Sequence, residues 1–170
     1  GVDCEESTLS GVVFVRGPLE PADAFELDTF VPGTDLYFVD LQGNIRNLTE
    51  GLHDGPADVR DPAVSPDGRS VLFAMRLSEL TGHEIYELDL ETGEAERLTN
   101  DAKPLPSAGI ATNRDPTYGP DGSVYFVSTR AGLLADGGQR LDADLYERLP
   151  DGTLIQRTFT PHIERKPVYF

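Results

Sequence analysis

The sequence predicts an all-β chain built of four-stranded antiparallel meanders, the blades of a β-propeller, with two blades complete and two incomplete. Three observations predict it. The stretch DPAVSPDGRSVLFAMR (Asp61–Arg76) returns 54 residues later as DPTYGPDGSVYFVSTR (Asp115–Arg130). Each copy is followed, after a variable connection, by a second recurring phrase: HEIYELDLETGEAERLT at His83–Thr99 and DADLYERLPDGTLIQRTFT at Asp142–Thr160. Short apolar runs alternate with Pro, Asp and Gly clusters, and no segment has helical periodicity. Units of about 40–50 residues with four short strands each are the mark of propeller blades, whereas a sandwich gives no reason for a repeating four-strand phrase.

The elements follow in order. Residues 1–10 read as a polar tail carrying Cys4. Residues 11–60 form an incomplete first blade, in which GVVFVR (Gly11–Arg16) matches a second strand and TDLYFVDLQGNIRNLT (Thr34–Thr49) a third and fourth. The second blade spans 61–100, with a following loop at 101–114. Its first strand is expected to begin near Pro62, and Pro66-Asp67-Gly68 turns it into SVLFAMR. Proline presets φ near −65°, aspartate tolerates the turn's bridge region, and glycine takes positive φ without steric cost. Gly68 and its counterpart Gly122 are therefore expected at positive φ. The third blade, 115–160, begins near Pro116 and turns at Pro120-Asp121-Gly122 and Asp151-Gly152, as the second turns again at Thr92-Gly93. ERKPVYF (Glu164–Phe170) matches the first-strand phrases, so 161–170 is read as the first strand of a fourth blade. Tyr37, Tyr86 and Tyr146, spaced 49 and 60 apart, hold the register, and the longer interval reflects loop insertions. Phe73, Tyr86, Leu88, Tyr125, Phe126 and Tyr146 are expected in the core. With a first strand missing at one end and a hairpin partner at the other, the chain is expected not to be self-sufficient, and its missing blades to come from another chain or a continuation of the gene.

Composition narrows the partners. Thirty acidic against 14 basic residues give −16, a field that repels phosphate backbones and anionic lipid surfaces, so nucleic acid is excluded as a partner. No apolar run of about 18 residues exists to span a membrane as a helix. One cysteine permits no internal disulfide and leaves the redox compartment open. The NLT at Asn47 fits a glycosylation acceptor formally, but its place in a fourth strand makes it incidental. No G-x-S-x-G elbow is present and no catalytic residue is assigned.

Strand order locates the functional face. In a meander, the connections 1–2 and 3–4 emerge on one side and 2–3 and 4–1 on the other. The first set is two to four residues long. The second includes Gly17–Gly33, Glu50–Arg60, Leu77–His83, Asn100–Arg114 and Ala131–Ala143. Long connections on a rigid scaffold are where binding groups concentrate. Candidate binding-face residues are therefore His53, Arg60, Asp61, His83, Arg114, Asp115, His162 and Arg165. The pairs Arg60-Asp61, Arg114-Asp115 and Arg165-Lys166 precede successive first strands and are expected to ring the mouth of a central channel, as a charged rim or as ion pairs tying blades together; the pairing is the favoured reading. The three histidines lack convergent spacing, so no metal site is assigned to them. The Asp-rich DGPADVRD and DGGQRLDADL do not fit an EF-hand loop and are read as solvated charge. No cofactor is assigned.

The pattern DPAVSPDGRSVLFAM followed by IYELDLETGEAERLT resembles the repeat of TolB-type propellers, over roughly residues 34 to 170. More narrowly, VVFVRG, LYFVDLQGNIRNLTE and the two Pro-Asp-Gly phrases resemble the propeller region of proteins similar to the hydrazine synthase alpha subunit. Members of that group can carry c-type haem, but Cys4 stands alone and no C-x-x-C-H exists, so covalent haem attachment by these residues is excluded. The resemblance implies a propeller and a periplasmic or extracellular location; it transfers no activity. The expected function is an exported binding module whose partner is a protein or a glycan, or the remaining blades of the same propeller. The alternatives are a scaffold, or the propeller portion of a larger enzyme, either a multi-haem redox complex resembling hydrazine synthase or a prolyl oligopeptidase-type serine peptidase.

Overall fold

The structure is a computed structural model that describes residues 11–19, 27–100, 104–105 and 109–169. The N-terminal tail with Cys4, parts of the connections at 17–33 and 100–114, and Phe170 lie outside the described residues. The described chain is nearly all β and forms three antiparallel sheets, each a plain meander. The first has three strands, β1 (Gly11–Arg16), β2 (Asp35–Asp40) and β3 (Ile45–Asn47). The second has four: β4 (Asp58–Val64), β5 (Ser70–Arg76), β6 (Glu84–Asp89) and β7 (Ala95–Arg97). The third repeats it with β8 (Asn113–Tyr118), β9 (Val124–Ser128), β10 (Asp144–Arg148) and β11 (Leu154–Gln156). A 3-10 turn, Pro120–Gly122, joins β8 to β9.

Repeated residues build repeated contacts. An aromatic pair faces across the second and third strands of both four-stranded sheets, and across β1 and β2 of the three-stranded one: Phe14 opposite Tyr37, Phe73 opposite Tyr86 and Phe126 opposite Tyr146. Their rings stack at 5.8, 5.6 and 6.2 Å, a cross-strand contact contributing about 0.5–1.5 kcal/mol beyond burial. The threonine that ends each unit also has one job. Thr49, Thr99 and Thr158 accept, through Oγ1, the backbone N–H of Leu36, Ile85 and Leu145 at 3.1, 2.9 and 2.8 Å, so a side chain extends the short fourth strand's pairing by one rung.

β5 shows why the sheets stack. Its apolar run is buried on both faces: Val71, Phe73 and Met75 pack with Leu36, Val59 and Leu88 towards the first sheet, while Leu72 and Ala74 pack with Val124, Phe126 and Tyr146 towards the third. A sheet covered on both faces carries continuous hydrophobic strands rather than alternating ones.

The Pro-Asp-Gly turns close as expected, with Gly68 at φ 72° and Gly122 at φ 76°. The strand starts differ. β4 and β8 begin at Asp58 and Asn113, ahead of Pro62 and Pro116, and the prolines fall inside register shifts between Arg60 and Ala63 and between Arg114 and Thr117. Lacking an N–H, proline cannot sit in a regular rung and is accommodated by a bulge. The residue before it turns left-handed, with Asp61 at φ 55° and Asp115 at φ 52°, and Lys166 has the same turn at φ 50°. Beyond β11 no further strand is formed among the described residues; Ile163 makes one isolated bridge to Ala143.

Candidate functional site

The bulges aim side chains. At the first two entries, the left-handed aspartate swings its carboxylate towards the following unit. Asp61 Oδ2 accepts the Nε–H of Arg114 at 2.6 Å and the backbone N–H of Asp115 at 3.2 Å. One unit later Asp115 Oδ2 accepts the Nε–H of Arg165 at 2.5 Å and the backbone N–H of Lys166 at 3.1 Å. Two consecutive joints thus use one ladder. Burial opposes ionisation of Asp61, but the Arg114 guanidinium outweighs it and holds the carboxyl below the usual carboxylate range. Burial also disfavours charge on Arg165, yet Asp115 more than offsets this and raises the guanidinium above its ordinary value. Arg60 turns inward instead and forks onto Asp58 of its own strand, with Nε 2.5 Å from Oδ1 and Nη2 2.7 Å from Oδ2. The three entries line one concavity of about 670 Å³, walled by Arg60-Asp61-Pro62, Arg114-Asp115-Pro116 and Lys166-Pro167.

Asp58 is fully buried, and so is His83. His83 Nε2 lies 3.4 Å from Asp58 Oδ2 without a hydrogen bond to it, and Nδ1 is 3.2 Å from Thr112 Oγ1, which also accepts the His83 backbone N–H at 3.0 Å. The arrangement that satisfies the threonine has its hydroxyl donating to Nδ1 and the Nε2–H pointing towards the carboxylate. Burial pushes the His83 imidazole down to about 4, against the pull of Asp58. Burial works against Asp58 ionising too, but His83, Arg60 and the Val31 N–H keep it well below the usual range. A hydroxyl, an imidazole and a carboxylate in series have the components of a nucleophilic relay. Here the relay is sealed: Thr112 is 1% and His83 0% exposed, so no substrate atom reaches either.

A segment from the first long connection crosses this region. Arg114 Nη1 donates to the Leu27 carbonyl at 3.3 Å, Arg76 Nη1 to that of Asp28, and Arg60 Nη2 to that of Thr29 at 3.1 Å. Three arginines from three strands hold three consecutive carbonyls, and Phe30 lies over the Arg76 guanidinium at 5.1 Å. Val31 N–H then caps Asp58 at 2.7 Å. Arg76 was not among the sequence candidates, although the signal was present: FVR, AMR and STR close the second-strand phrase of each unit with Arg16, Arg76 and Arg130.

The remaining candidates lie apart. His53 sits in the connection between β3 and β4, with Nε2 3.0 Å from Asp35 and Nδ1 2.5 Å from the Gly55 carbonyl. His162 is exposed, 3.8 Å from Asp136. Among the described residues no group of three or more His, Cys, Asp or Glu is placed to hold a metal ion, and no helix is long and apolar enough to cross a membrane.

No protein-family model matches the chain, and no curated protein matches it significantly. Solved structures do. Hydrazine synthase of Kuenenia stuttgartiensis superposes with a TM-score of 0.73 over 95% of this chain and 26% of that one, at 15% identity. TolB of Acinetobacter baumannii gives 0.52 over 74% and 27%, at 26% identity. A putative TolB of Agrobacterium tumefaciens gives 0.53 over 77% and 42%, at 23% identity. The chain therefore spans less than half the length of each of these proteins. Its repeated meanders and these likenesses make it a partial β-propeller, similar in fold to TolB propellers and to the propeller region of hydrazine synthase.

Proposed function

We propose that this chain is an exported propeller module that binds a protein partner through its long-connection face and carries no chemistry of its own. The observation behind this reading is the placement of exposed leucines. Leu77 and Leu80 in the β5–β6 connection are 51% and 82% exposed, and Leu133 and Leu134 in the β9–β10 connection are 60% and 48% exposed. Both connections emerge on the same side of adjacent blades, whereas the Pro-Asp-Gly and Asp151-Gly152 turns opposite are short and polar. Apolar side chains left in water on elaborated loops favour a protein partner over a glycan or a small ion. Export rests on the resemblance to TolB-type propellers, and cell fractionation with an antibody to the chain tests it.

The binding claim is tested by photo-crosslinking in the source cells. A crosslinking residue at Leu80 or Leu133 is expected to give discrete heavier adducts, and one at Asp67 or Asp151 none. Adducts arising from the Asp67 and Asp151 positions alone would place binding on the opposite face. A second reading, the propeller portion of a larger enzyme, is favoured by the hydrazine synthase likeness, which takes in almost the whole of this chain but about a quarter of that protein. Sequence beyond the 170 residues separates the two: a haem-attachment motif or a hydrolase elbow there makes the module part of an enzyme.

A further inference from the structure

The ladder between units follows a rule, and the rule breaks at one residue. At both joints an aspartate in the left-handed turn takes the arginine of the next unit and the backbone N–H after it. The third entry keeps the turn, with φ 50°, and the preceding arginine, but puts Lys166 where Asp61 and Asp115 stand. Lys166 is exposed, lines the same concavity, and forms no ion pair among the described residues. An arginine arriving from a further unit would meet an ammonium group there, although the net charge of the whole chain is −16, and attraction would become repulsion.

We infer that the surface around Lys166 docks a further blade whose entry carries a carboxylate where this chain carries arginine, so the ladder reverses polarity at that joint. This rests on the reading of the chain as a propeller module. Two observations argue for a blade there. The surface continues an interface already used twice in this chain. And Val168, 78% exposed, stands at the register position of Ala63, which packs into the apolar cluster between the second and third blades. The partner is thus defined by chemistry: an antiparallel blade with Asp or Glu at its bulged first-strand entry and an apolar face for Val168.

The test extends the full chain directly after Phe170 with a copy of residues 66–117, which completes the unit begun at Lys166 and brings the copied Arg114 opposite it. Four versions combine Lys166 or Lys166→Asp with the copied arginine kept or replaced (Arg114→Glu in the copy alone), and urea midpoints and amide exchange are measured on each. With Lys166 in place, the glutamate copy is expected to have the higher midpoint. With Lys166→Asp the order inverts, and both differences shrink in about 1 M salt. An order indifferent to residue 166, or arginine preferred opposite Lys166, overturns the inference and leaves the module reading intact. Added strands unprotected in all four versions overturn both. A midpoint of the unextended chain raised by inorganic phosphate, and not in Lys166→Ala, makes the position a small-anion site and likewise overturns the blade assignment.

Discussion

His83→Gln should flatten the acid side of the stability profile. The imidazole is fully buried, and the groups facing it are Asp58, Thr112, Arg60 and Arg114. Its folded pKa of about 4, against 6.5 unfolded, means that below 6.5 the unfolded chain takes up a proton that the folded chain refuses. The sign is a loss of stability as pH falls, beginning at 6.5 and ending at the folded value. Integrated from about pH 7.5 to about pH 5, the linkage amounts to about 2 kcal/mol. Glutamine keeps a donor towards Asp58 and an acceptor for Thr112 but does not titrate. Asp58, whose carboxyl is depressed, loses its stabilising contribution only below the ordinary carboxylate range, so it stays outside this window. Urea midpoints of both proteins in one buffer series give the difference directly. Wild type and variant should converge towards acid, because only the wild type loses stability to this group. Parallel profiles would refute the buried, neutral state of His83 and the packing around it.

Other perturbations probe other parts of the structure. Gly68→Ala adds a Cβ that meets nothing within 4 Å but is held at φ 72°, so strain alone should cost about 1 kcal/mol by thermal or urea unfolding. A double-mutant cycle of Asp61→Asn and Arg114→Gln should return a coupling of about 1–3 kcal/mol, since both side chains are largely buried; additivity within error would deny the ladder a role in joining blades. Asp142→Asn should raise the neutral-pH unfolding free energy by about 1 kcal/mol, read as a higher urea midpoint, because Asp142 Oδ1 is buried without a hydrogen bond and burial, with Asp144 beside it, raises the carboxyl's pKa. That gain should fade as pH falls through the raised folded value, where the wild-type group becomes neutral.

The parts of this fold legible in the sequence are those that repeat. Pro-Asp-Gly turns have local chemistry, and a phrase seen twice exposes register, which is why the opposition of Phe73 to Tyr86 and Phe126 to Tyr146 could be anticipated as core. The bulge was missed because Pro62 reads as a strand start, when its absent N–H instead interrupts a strand that begins four residues earlier. The segment over Arg60, Arg76 and Arg114 left no trace, since backbone carbonyls accept those bonds and any residue supplies one. His83 was grouped with exposed loop residues by its place in a connection, yet it fills the joint between blades. Its partner Asp58 occupies the position of Thr112 and Ile163 in the other units, and that departure from the repeat was the one available hint of a buried polar cluster.

Native-state hydrogen exchange on the 170-residue chain tests the central claim, that these are propeller blades stacked through shared cores and a ladder of Arg–Asp pairs. The account predicts that amides of β5, buried between two sheets, and of β9, buried against the second sheet, exchange slowest and with a common opening free energy, and that Asp61→Asn lowers both together. Separate opening free energies for the second and third sheets, unaffected by Asp61→Asn, would contradict it.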